Sequence, residues 1–166
     1  MYSIIHTLAR ACALLGGIVL ITLVVLMTTS IVMRSLGLGE ILGVYEILEA
    51  GVGFSIFAFF PICQFYGGHA TVDVFTSAMP RRFNTVLMAF WEVILTAAII
   101  FVSVRLYAGM ERYLGNGETT LFLQFPVWWG YAASMIGATI ASLTGVYCSF
   151  ARLREAMTGR SILPAG

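Results

Sequence analysis

From Ala11 to Met33 the chain carries no charged residue, and Arg10 and Arg34 close the run on either side. A bilayer's hydrocarbon core takes roughly 20 apolar residues to cross as a helix. In lipid the backbone must satisfy its own N–H and C=O groups, so a run of this length reads as a spanning helix. It is too long for the roughly 7–15-residue core of a signal peptide, and it is taken as an uncleaved first span. A second apolar run covers Ala50 to Gly68 with Pro61 inside it, and a third, from about Phe83 to Val104, holds one charge, Glu92. The fourth lies between Glu118 and Arg152, with Pro126 suited to a first helical turn. The expected fold is an all-α integral membrane protein, one four-helix domain over 1–166 with approximate spans 11–33, 47–67, 83–106 and 126–151.

The arginines orient these spans. With the N-terminus inside, Arg10, Arg81, Arg82, Arg152, Arg154 and Arg160 are cytoplasmic, and only Arg34, Arg105 and Arg112 lie across the membrane. This bias predicts an N-in, C-in topology. Glu40, Glu46, Glu49, Glu111 and Glu118 fall on the outer side and make that face acidic.

Only 10% of the 166 residues are charged, against roughly 25% in a soluble domain. The net charge of +1, with no lysine, gives no footprint for nucleic acid. Cys12, Cys63 and Cys148 lie far apart in apolar runs, without metal-ligand spacing, and are read as small hydrophobes. No cofactor or metal is expected. The sequence has no inverted repeat of the kind that builds a transporter's own substrate site. Gly137, Ala141 and Gly145 recur at i, i+4 and i+8, a seam that allows close helix approach within this chain or against another.

The polar residues are few enough to consider singly. Glu46 and Glu49 share a helix face at the start of the second span, either as a solvated end that suits the helix dipole or as a docking surface for a basic partner. They lack the nucleophile or histidine that a catalytic pair would need. Glu92 lies roughly 13 Å into the third helix, and intramembrane acids usually face a bundle interior, a cavity or a partner. Structural pairing is the preferred reading, with Gln64 as a possible partner, because an ion relay would need further acids at similar depth. Trp128 and Trp129 stand at the outer start of helix four, where aromatic belts anchor spans. The inner loop "GGHATVDVFTSAMPRR" predicts a short amphipathic interfacial helix, capped by Thr71 and stopped by Pro80, with Arg81 and Arg82 near lipid phosphates.

Four motifs in register on this frame resemble the small membrane subunit (DctQ-like) of tripartite ATP-independent periplasmic (TRAP) transporters. They are Arg34 closing helix one; Tyr45, Glu46 and Glu49 opening helix two; Gly68, His69, Val72 and Asp73 leading to Pro80, Arg81 and Arg82; and Thr119, Thr120, Pro126 and Trp128 before helix four. Tyr45 stands where such proteins often have tryptophan, and "QFYGG" lacks the basic residue that often precedes Gly-His. The resemblance covers nearly the whole chain. It implies a non-catalytic subunit in a bacterial or archaeal cytoplasmic (inner) membrane. Its implied partners are a large membrane transport subunit, a periplasmic substrate-binding protein and membrane lipids. It would brace the large subunit for ion-coupled, sodium-driven uptake of an organic acid such as a dicarboxylate or sialic acid. On this reading Arg34, Glu46, Glu49, Glu92, Trp128 and Trp129 are candidate partner contacts, and Gly68, His69, Asp73, Arg81 and Arg82 form a structural loop signature. None is assigned to catalysis, substrate or metal.

Two other classes compete. A self-contained homo-oligomeric exporter or channel would have to use Glu92 as its coupling site. A membrane cytochrome would need His6 and His69 as axial ligands, a thinly supported pairing.

Overall fold

Helix one ends where glycine lets the chain turn back on itself. In the computed structural model, which describes residues 2–66 and 81–158, Gly37 adopts φ 74° and Leu38 N–H reaches back to the Met33 carbonyl at 3.0 Å. Such a left-handed cap satisfies carbonyls that the last helical turn leaves unpaired. It closes α1, Tyr2–Ser35. α2 then runs Val44–Tyr66, α3 Arg81–Asn116 and α4 Trp128–Thr158. All four are long and apolar enough to cross a membrane. Apart from an isolated bridge between Thr119 and Pro126, no β structure occurs among the described residues.

The helices are longer than the apolar runs that announced them. At about 1.5 Å per residue the 34 residues of α1 span roughly 51 Å, well beyond a hydrocarbon core of about 30 Å. Charged residues end a membrane span but not a helix, and Arg105, Glu111 and Arg112 continue α3 without a break. The expected interfacial helix in the inner loop, with Gly68, His69 and Asp73, lies outside the described residues. Arg81 and Arg82 open α3.

Packing runs in the order α1, α2, α4, α3. α2 and α4 travel in the same direction and form the central pair. Small residues let them approach: a Cβ on Gly130 would lie 3.2 Å from Ala50 Cβ, and one on Gly137 would lie 3.0 Å from the Phe57 carbonyl carbon. The Gly137, Ala141, Gly145 seam therefore packs inside this chain, where dispersion between close backbones drives association in lipid. Pro61 is buried on α2 and has no N–H to give the Phe57 carbonyl, four residues back, beside which Gly137 crosses. α1 flanks α2 through Gly16 against Ala58, and α3 flanks α4 through a hydrogen bond between Ser103 and Ser142 hydroxyls at 3.1 Å.

The two described connections, 36–43 and 117–127, gather at one end of the molecule, hereafter the loop end. At the opposite, terminal end Ala9, Phe65, Cys148 and Ala151 form a small apolar core with Ile5, Ile62 and Tyr147 against it.

Candidate functional site

The intramembrane acid sits in a clasp joining three helices. Glu92 of α3 is only 5% exposed, and its Oε1 accepts a hydrogen bond from Gln64 Nε2 of α2 at 3.3 Å. Gln64 Nε2 also donates to Thr96 Oγ1 at 3.4 Å. Thr96 and Ser149 of α4 share a hydrogen bond at 2.8 Å, and the Ser149 hydroxyl donates to the Glu92 carbonyl at 3.3 Å. The polarity is consistent: amide to threonine, threonine to serine, serine to backbone. Gln64 presents its nitrogen because the facing carboxylate takes only donors. Its Oε1 and the buried Thr144 hydroxyl have no partner among the described residues.

Gly145 makes room for this clasp. A Cβ there would meet Gln64 Nε2 at 2.8 Å and Thr96 Oγ1 at 3.0 Å. Arg152, placed by sequence with the cytoplasmic charges, is 8% exposed and acts electrostatically on Glu92. The carboxylate is enclosed by its own chain, because burying an acid in lipid is tolerable only beside donors and opposite charge. Gln64 is legible as a possible partner from its depth in the sequence. Thr96, Ser149 and Arg152 are harder to read, although Thr96 lies at i+4 from Glu92 and Ser149 at i+4 from Gly145, the spacings of one helix face.

The second polar arrangement lies at the loop end. Glu46 accepts hydrogen bonds from the backbone N–H groups of Phe122 at 2.8 Å and Leu123 at 3.0 Å. The 117–127 connection is held internally by Thr120 N–H to Phe125 C=O at 2.9 Å and Val127 N–H to Glu118 C=O at 3.1 Å. Glu46 thus ties the loop before α4 to the start of α2 through both of its carboxylate oxygens. A contact 76 residues away along the chain has no local sequence signal. Glu49 remains exposed on the same side of α2.

Arg34 is exposed and pairs with Glu40 at 3.9 Å, a surface ion pair of little energetic weight. Trp129 is 55% exposed and stacks on Phe125 at 6.5 Å, whereas Trp128 is half-buried and meets Trp129 edge-on. His6, one of the two candidate haem ligands, bonds the Tyr66 hydroxyl through Nε2 at 3.1 Å and lies edge-on to Phe65. No group of three or more His, Cys, Asp or Glu side chains that could hold a metal occurs among the described residues.

These arrangements join helices to helices and a loop to a helix. None combines a nucleophile, a base and an open site, the minimum for covalent or acid–base chemistry. A family model described as "Tripartite ATP-independent periplasmic transporters, DctQ component" matches residues 23–155. No curated protein matches the chain.

Proposed function

The chain belongs to the DctQ component family of tripartite ATP-independent periplasmic transporters, and from that premise we propose that it braces a large membrane subunit during ion-coupled uptake of an organic acid. Membership makes it a small, multi-pass membrane subunit of such a transporter and not an enzyme. Sodium as the coupling ion, delivery of the acid by a periplasmic binding protein and an N-in, C-in placement in the cytoplasmic membrane complete the reading.

The observation that carries the brace is the division of polar and apolar surface. The clasp at Glu92 is used within the chain, while α1 and α3 turn bulky apolar side chains outward, among them Leu14, Ile18, Phe90 and Phe101. Such flanks suit a rigid scaffold set among other helices. A self-contained exporter would need Glu92 on a water-accessible path, and its enclosure favours the scaffold.

Affinity purification from native membranes should bring down a much larger hydrophobic chain. The purified small chain alone in liposomes should take up no organic acid, and sodium-driven uptake by it would overturn the reading. A cysteine replacing Ser77 should react only with reagents that reach the cytoplasm; labelling from the periplasm in intact cells would sink the topology.

A further inference from the structure

At the terminal end α2 and α3 meet through Gln64, which reaches Glu92 and Thr96. At the loop end they part, and a cavity of about 330 Å³ opens between them. This is within the roughly 300–1,000 Å³ of small-ligand pockets. Gly53 and Phe57 of α2 and Leu106 of α3 form its walls, and Ser134 of α4 lies in its floor. Glu46 and Glu49 stand at its mouth. Along α2, residues 46 to 57 cover roughly 16 Å at about 1.5 Å per residue. That is about half the 30 Å hydrocarbon core, so the cavity has the depth of one leaflet.

Its chemistry is graded along that depth. The inner part is apolar apart from the Ser134 hydroxyl in its floor, and the mouth is acidic at the level of lipid headgroups. Two carboxylates there attract a cation, while Arg112 acts electrostatically on the lining Tyr131, as Glu49 does. Glu46 is already engaged with the loop amides, but Glu49 is exposed and forms no ion pair among the described residues. Ser134 is 5% exposed, lines the cavity and has no hydrogen-bond partner among the described residues. A cavity with these properties, open beside acyl chains, fits a molecule with an apolar tail and a cationic head.

We infer that this cavity is a binding site for one phospholipid with a primary ammonium headgroup, phosphatidylethanolamine, whose acyl chain lies against Phe57 and Leu106 and whose ammonium pairs with Glu49. The site is independent of the transport reading, and it requires only that the helices span a bilayer.

The test is native mass spectrometry of the full chain after exposure to vesicles of equimolar phosphatidylethanolamine and phosphatidylglycerol. One phosphatidylethanolamine per chain should be retained. Glu49→Gln should lower the phosphatidylethanolamine-to-phosphatidylglycerol ratio roughly two- to fivefold, the effect of one solvent-facing ion pair. Leu106→Trp, which fills the cavity from α3, should lose the bound lipid while keeping wild-type helicity. Should Leu106→Trp not fold, the exposed Glu49→Gln change still decides the question. No retained lipid, equal retention of the two lipids, or an unchanged ratio in Glu49→Gln would overturn the site. So would loss of the lipid when the chain assembles with its large subunit, because the cavity would then belong to a partner side chain.

Discussion

Adding one methyl group at Gly145 should unlock the clasp around Glu92. A Cβ there would lie 2.8 Å from Gln64 Nε2, 3.0 Å from Gln64 Oε1 and 3.0 Å from Thr96 Oγ1. Every obstacle is a side-chain end, so the bundle can yield by turning Gln64 aside. That turn gives up the Gln64 bonds to Glu92 at 3.3 Å and Thr96 at 3.4 Å. Interhelical hydrogen bonds in membrane proteins average about 0.6 kcal/mol and reach about 1.7, so the pair costs about 1–2 kcal/mol. Gln64 is fully buried, and forcing extra volume into a packed interior adds about 1–3 kcal/mol. Alanine's better helix propensity offsets about 1 kcal/mol. Gly145→Ala should therefore destabilise by about 1–4 kcal/mol, measured by denaturant titration in detergent and followed by circular dichroism and tryptophan fluorescence. Gln64→Ala destabilises on its own by leaving Glu92 without its donor, but it removes the obstacle. In that background Gly145→Ala should cost little or even stabilise, a coupling expected of residues in direct contact. An equal loss in both backgrounds would refute the reasoning.

Gly137→Ala should also destabilise, by about 1–3 kcal/mol in the same titration, because its Cβ would meet the Phe57 carbonyl carbon at 3.0 Å and the Ala58 nitrogen at 3.1 Å, and backbone cannot turn aside. Gly115→Ala meets nothing within 4 Å, so it should be neutral or gain up to about 1 kcal/mol. Glu46→Ala should free the 117–127 connection, seen as faster amide exchange at Phe122 and Leu123 with an unchanged global midpoint; unchanged exchange would show that the carboxylate does not hold the loop. Glu92→Leu strands Gln64 and Arg152 at a cost of about 1–3 kcal/mol, so assembly should fall while uptake per assembled complex persists. Full assembly with abolished uptake would instead assign Glu92 to ion handling.

The sequence alone determined that this chain crosses a membrane, and in how many helices. Apolar runs about as long as a bilayer core is thick leave the backbone one way to satisfy itself, and Pro126 marks the approach to α4 within two residues of its start at Trp128. The Gly137, Ala141, Gly145 spacing was legible as a close-packing seam, and the depth of Glu92 as a demand for a partner. Tertiary structure alone decided where those demands are met. The seam faces α2 because α4 packs between α2 and α3, an order that periodicity cannot give: every face of a membrane helix is apolar, so no face is marked for the interior. The same indifference hid the clasp. Thr96, Ser149 and Gly145 resemble any other small membrane residues until three helices bring them around Gln64 and Glu92. Glu46 could be read as a helix-end acid, but its grip on Phe122 and Leu123 required the fold to bring distant backbone N–H groups within 3.0 Å.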